Sequence, residues 1–178
     1  MMITDAVKNR YMFDTTALDS LCKASGNDLQ KVYASKEKGF EYYFTETQLE
    51  ESENNINSKE DTGMDVVSRE SAMRAIKMLK LVANIQKKYV GRIATLTPDR
   101  WILDGTFEIL PEGEDKAFEV YTEILNDNPK QHYNDAIIAL TGLVNGCTLV
   151  VNDGRFRRIV NKHFSGRAID YNEFLTLL

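Results

Sequence analysis

Two short apolar runs, each closing on an acidic residue and each followed at once by a helix-like pattern, constrain the fold of this chain most. Residues 10–14 read Arg-Tyr-Met-Phe-Asp, and residues 148–153 read Thr-Leu-Val-Val-Asn-Asp. Leu149, Val150 and Val151 have the unbroken hydrophobicity of a strand buried on both faces. After Asp14, Leu18, Leu21 and Cys22 recur at helical spacing. After Asp153, Phe156, Ile159, Val160, His163 and Phe164 do the same. Strands alternating with helices are wound into parallel sheets with helices on both faces. In such sheets ligands bind beyond the carboxyl ends of the strands, where Asp14 and Asp153 would stand.

The rest of the chain fits this plan. Asn27 is placed to cap a second helix with Leu29, Val32 and Tyr33 inside, and Gly39 to end it. Phe40–Thr45 reads as an aromatic-rich strand. A short helix then runs into a polar stretch, Asn54 to Asp61, expected to be a loop. Ser68 is expected to cap a long helix reaching Tyr89 and stopped by Gly91, with Ala75, Met78, Val82, Ile85 and Tyr89 as its apolar stripe. Arg74, Lys77, Lys80, Lys87 and Lys88 fall largely opposite. Residues 93–97 and 101–110 each suggest a short strand, interrupted by Pro98 and Gly105. Phe118, Tyr121, Ile124 and Leu125 mark a helix broken at Pro129. Another spans 134–145, where Ala136, Ala139 and Gly142 allow close packing on a sheet and Gly146 is the stop. Residues 167–170 give a last strand and 171–178 a terminal helix. The expectation is a three-layer α/β/α domain over 1–178, with a mainly parallel central sheet of about four to five strands.

Composition narrows the class. Hydrophobic residues make up 43% of 178, enough for a real core. No apolar stretch is long enough to cross a membrane, and the first ten residues lack the apolar block of a signal peptide. A cytoplasmic location is therefore expected. Cys22 and Cys147 sit among apolar neighbours and read as core thiols in a reducing compartment. With only His132 and His163 beside them, at unrelated spacings, zinc is not expected. Phe156 and its neighbours make His163 structural, and Trp101 reads as core. The net charge of −5 argues against a surface basic everywhere, and leaves room for a local basic face.

Four acids can be carried to one sheet edge: Asp14, Glu51 in the helix after the second strand, Asp135 at the start of its helix, and Asp153. Each has a plain alternative. Asp14 can cap the helix that begins at Thr15. Asp135 can favour a helix N-terminus through the dipole. Asp153-Gly154 can be a turn, and Glu50 and Glu51 can be solvated surface. Together they imply more. Two carboxylates ~5 Å apart repel by roughly 3 kcal/mol at an effective dielectric near 20. A cluster of them must bind a cation or take up protons. Arg155, Arg157, Arg158 and Lys162 follow Asp153, either as a solvated basic face or as phosphate contacts.

The segments Tyr-Met-Phe-Asp-Thr-Thr-Ala-Leu-Asp-Ser-Leu (11–21), Thr-Glu-Thr-Gln-Leu-Glu-Glu (45–51) and 133–156, which ends in Val-Asn-Asp-Gly-Arg-Phe, resemble the PIN-domain nucleases. The last is the most specific: an Asp on an Ile/Ala-rich helix, then a strand ending in Asn-Asp, then a Phe. The match is weak over about 52–113, read as a helical or irregular insertion. The resemblance implies a metal-dependent ribonuclease whose Asp14, Glu51, Asp135 and Asp153 hold Mg²⁺ or Mn²⁺ and cut RNA, with Arg155 and Arg158 on the phosphates. It also implies a toxin of a toxin–antitoxin pair. The partners expected are RNA, an antitoxin protein and a second copy of the chain, and no membrane. Glu50 and Glu46 are alternatives to Glu51. Val151 stands where the family often has Thr or Ser, so Thr15, Thr16 or Asn152 must supply the missing support. A PIN-like module that binds RNA or protein without cutting is the alternative function. A haloacid-dehalogenase phosphatase ranks lower: it needs Asp-x-Asp, and this chain has Asp14-Thr15-Thr16.

Overall fold

Successive residues of a strand face opposite ways, and in this protein both faces are apolar. A computed structural model describes residues 9–24, 27–58, 66–86, 88–90, 107–109, 115–126 and 128–178. In chain order the elements are β1 (Arg10–Phe13), α1 (Thr15–Lys23), α2 (Asn27–Glu37), β2 (Glu41–Thr45), α3 (Glu46–Asn57) and α4 (Val66–Val82). Then come β3 (Asn84–Gln86), β4 (Lys88–Val90), β5 (Phe107–Ile109), α5 (Asp115–Leu125) and α6 (Pro129–Val144). The chain continues through β6 (Thr148–Val150), α7 (Gly154–His163), β7 (Ala168–Ile169) and α8 (Tyr171–Leu175).

Among the described residues the central sheet has five strands in the order β3-β2-β1-β6-β7, and every pairing is parallel. Tyr11, Phe13, Tyr42, Phe44 and Val150 face one layer, with Leu18, Leu21, Leu49, Ile76 and Leu79 of α1, α3 and α4. Met12, Tyr43, Leu149 and Val151 face the other, with Val120, Ile124, Ala136, Leu140, Phe156 and Val160 of α5, α6 and α7. The alternation produces the three-layer α/β/α architecture the sequence predicts. A separate two-stranded parallel sheet joins β4 to β5. From α8, Phe174 drives its ring edge-on between Phe13 and Tyr11, at centroid distances of 5.0 and 5.2 Å, a geometry that adds to simple burial.

Four expectations need correction. The long helix does not reach Tyr89: it ends at Val82, and the next residues pair with the open side of β2, Tyr43 opposite Asn84. Pairing with an open sheet edge outweighs helical periodicity here. Ser68 lies inside α4 rather than capping it, and the buried face is Ala72, Ala75, Ile76 and Leu79, with Met78 47% exposed. Secondly, α6 begins at Pro129, not at 134. Proline has the φ of a first helical turn and needs no N–H donor there, and Asn128 caps it by accepting from the Gln131 N–H. Asp135 therefore lies in the second turn rather than opening the helix. Thirdly, the polar residues 54–57 remain helical, because Ile56 is fully buried among the aromatics. Lastly, Asn27 is the first residue of α2, and Ser35 accompanies Val32 inside, its hydroxyl 2.6 Å from that of Tyr42; Leu29 and Tyr33 are half-buried.

Gly39 and Gly146 do end their helices, with φ of 84° and 72°, a region open mainly to glycine. Cys22 and Cys147 are unbridged and buried, and burial pushes both thiols up to about 12, so they remain protonated core groups. No helix among the described residues is long and apolar enough to cross a membrane. Gly26, near which the first helix is expected to end, the polar residues from 59 to 61, Lys87, Gly91, the strand expected at 93–97, Pro98, Trp101 and Gly105 lie outside the described residues.

The close approach of α6 to the sheet is testable. A Cβ added at Gly142 would lie 2.4 Å from Leu149 Cδ2 and 3.1 Å from Met12 Sδ. Helix propensity favours alanine over glycine by about 1 kcal/mol, but overpacking a filled core costs about 1–3 kcal/mol. Gly142→Ala is expected to lose a net ~1 kcal/mol in urea unfolding; a gain would show that α6 can slide outward.

Candidate functional site

From β1 the sheet grows outward both ways, to β2 and β3 on one side and to β6 and β7 on the other. The order reverses between β1 and β6, and a crevice forms at such a switch point, beyond the carboxyl ends. Asp14 leaves β1 there, and Asn152-Asp153 leaves β6. The Asp14 N–H donates to the Val150 carbonyl at 2.9 Å, so the two exits are fastened side by side.

Asp14 is 3% exposed. Its carboxylate caps α1, accepting from the Ala17 N–H at 2.7 Å and from the Thr16 hydroxyl at 2.9 Å. The plain capping role is thus real. A capping carboxylate ordinarily ionises more readily, helped by its donors and the helix dipole. Asp14 goes the other way: burial lifts its pKa to about 6, and the Asp135 charge adds to that rise against the Ala17, Thr16 and Asn152 hydrogen bonds. Asp135 is also raised, mainly by burial and further by the charge of Asp153; His132 and Arg155 oppose the rise. His132 Nδ1 stands 3.5 Å from the Asp135 carboxylate. Asp153, more exposed, caps α7 by accepting from the Phe156 N–H at 2.8 Å.

Glu51 is tied to the same edge through its neighbours. It accepts from the Thr15 hydroxyl at 2.9 Å and from the Asn134 amide, residues adjacent in sequence to Asp14 and Asp135. Glu50 and Glu46 are exposed, and of the three only Glu51 is half-buried and aimed at α1 and α6. Asp14 therefore feels the charge of Asp135, Asp135 feels that of Asp153, and Glu51 is held by the residues next to Asp14 and Asp135. Among the described residues, no three His, Cys, Asp or Glu side chains are placed to ligate one ion directly. The donor set is nonetheless all oxygen, and Asp14 and Asp135 are each under repulsion from another acid of it. Its chemistry suits a hard divalent cation that keeps part of its water shell.

The support expected from residues near Val151 divides in an instructive way. Val151 itself is fully buried against α6 and α7. Thr16 serves Asp14, Thr15 serves Glu51, and Asn152 serves Asp14 by its backbone N–H. The Asn152 side chain turns instead to the Ser20 hydroxyl at 3.1 Å. Three contributors take roles that were not foreseen, Arg157 among them, which was expected on a solvated face or on phosphates. Arg157 donates to the Val151 and Asn152 carbonyls at 2.7 and 2.8 Å, fixing the turn that carries Asp153. Asn134 orients Glu51. Gln48 donates to the Phe13 carbonyl and accepts from the Thr45 N–H at 2.6 Å, joining the ends of β1 and β2 just behind Asp14. Only Gln48 left a sequence signal: Thr45 followed three residues later by Gln is a capping-box pattern. Arg155 acts on Asp135 by its charge, while Arg158 donates to the Gly154 carbonyl at 3.2 Å.

Neither a family model nor a curated protein matches this sequence.

Proposed function

We propose that this chain is a metal-dependent ribonuclease of the PIN type, with Asp14, Glu51, Asp135 and Asp153 holding Mg²⁺ or Mn²⁺ and RNA phosphodiester as substrate. The observation that carries the reading is the pair of raised carboxylates, Asp14 and Asp135, each pushed up partly by another acid of the same edge. A carboxylate raised by burial and by a specific charge partner, at the switch point of a parallel sheet, has the environment of a functional site. The motif resemblance supplies the reaction class.

A bound divalent cation would relieve charge on the phosphate and acidify a water for in-line attack. The chain's own residues do the positioning. The Ala17 and Asn152 N–H groups and the Thr16 hydroxyl fix the Asp14 carboxylate. Thr15 and Asn134 fix Glu51. Asp153 is oriented by the first turn of α7, and Arg157 keeps that turn from shifting. Arg155 and Arg158 lie on α7 beside the acids, where they can meet phosphate oxygens.

Two measurements test this. Crystals soaked in Mn²⁺ should give an anomalous peak among Asp14, Asp135 and Asp153, and the protein should cut a generic RNA with Mn²⁺ but not with chelator. Metal bound without cleavage of any RNA offered supports the non-catalytic binding module instead. The absence of both sinks the proposal.

A further inference from the structure

α7 carries basic residues at 155, 158 and 162, spacings of three and four that set them on one helix face. Arg155, Arg158, Ile159 and Lys162 line one side of a cleft of about 460 Å³, and Glu123 and Asn126 from the end of α5 line the other. Among the described residues, three cations thus face a single carboxylate. The cleft begins beside the acidic edge, since Arg155 is close enough for its charge to favour ionised Asp135. It then runs along α7 to Lys162.

We propose that this α5–α7 cleft is the track for a single RNA strand leaving the acidic edge, with Arg155, Arg158 and Lys162 on successive phosphates. The substrate class rests on the nuclease reading above; the track is a separate claim. Its chemistry suits a flexible polyanion. Five of the six residues lining the cleft are polar or charged and three of them are cations, so phosphate oxygens find partners there. Glu123 gives the track a built-in brake. Both of its oxygens lie 3.0 Å from Lys162 Nζ, and one lies 2.7 Å from His163 Nε2. A phosphate entering at Lys162 must share that cation with Glu123. Removing the carboxylate should therefore tighten binding, whereas loss of a merely structural ion pair would not.

The test uses the full chain carrying Asp14→Asn, in chelator, with a short fluorescein-labelled oligouridylate followed by anisotropy across a salt series. Arg158→Gln and Lys162→Gln should each weaken binding about fivefold near 0.1 M salt and flatten the log–log salt slope by about 0.7. Glu123→Gln should strengthen it. Melting curves check that the variants fold; if Lys162→Gln does not, Arg158→Gln and Glu123→Gln decide. Unchanged affinity and slope in the Arg158→Gln/Lys162→Gln double variant overturn the track, as does failure of the parent protein to bind. RNA held in the cleft but left uncut by the otherwise unaltered chain with Mn²⁺ overturns the nuclease reading and leaves the track standing. Undiminished cutting at low RNA concentration by the double variant overturns the track alone.

Discussion

Asp14→Asn is expected to lower Mn²⁺-dependent RNA cleavage at least about a hundredfold, since a cation ligand supplies several kcal/mol of charge stabilisation at each ~1.4 kcal/mol per decade. The same change should make the metal-free protein more stable at pH 7.5, and this pairing is what separates a functional acid from a capping one. The folded pKa of Asp14 is about 6, above the ordinary value near 3.9. The folded state therefore holds this proton more tightly than the unfolded one does. The contribution is complete below about pH 4 and is lost as pH rises through about 6, leaving a penalty of roughly 3 kcal/mol above it. An asparagine keeps an acceptor for the Ala17 N–H without the charge, and should recover part of that penalty. In chelator, the melting temperature of the unaltered protein should climb on acidification from pH 7 to 5, and that of the variant should climb less, since only Asp135 is left raised at this edge. Mn²⁺ should raise the first at pH 7.5 and leave the second unmoved. A variant that melts lower in chelator at pH 7.5, or that still cuts within tenfold of the parent, would show Asp14 to be a cap and nothing more.

Gln48→Leu should cost about 4 kcal/mol, because two buried backbone groups, the Phe13 carbonyl and the Thr45 N–H, lose a partner at about 1–3 kcal/mol each. Gln48 is fully buried. Its oxygen takes both the Thr45 N–H and, at 3.0 Å, the Thr45 hydroxyl, while its nitrogen reaches across to β1. The leucine has nearly the right volume, so the loss reports polar pairing rather than a cavity. Urea unfolding measures it. Since Phe13 immediately precedes Asp14, the folded fraction of the variant should also cut RNA more slowly, with kcat falling more than KM rises. A loss below 1 kcal/mol would mean the two strand ends do not depend on this amide.

The elements that the sequence announced are those whose local pattern and tertiary surroundings agree. β1, β2 and β6 are apolar on both faces and are covered on both faces, so their hydrophobicity reads directly as position. Asp14 and Asp153 were legible because an acid directly after such a run can only emerge at a strand's exit. The missed features depend on distant partners. Nothing local marks residues 84–86 as a strand; they become one because β2 has an unfilled side. Pro129 reads equally as a break or as a first helical residue, and only the Asn128 cap decides. Asn134 looks like any polar helix residue until Glu51 arrives from 83 positions earlier. The precise lining of the acidic edge was therefore less legible than its location, since hydrogen bonds between remote side chains leave no periodicity behind.

The strand order carries a consequence for how the chain is made. β1 is synthesised first yet lies in the middle, flanked by β2 and by the much later β6. Until residues 148–150 leave the ribosome, one whole side of β1 offers unpaired N–H and C=O groups next to bare aromatic and aliphatic side chains. Such an open flank invites pairing with other nascent chains. Biogenesis of this protein should accordingly lean on chaperones that shield the early half during translation, and the acidic edge cannot exist before that flank is closed.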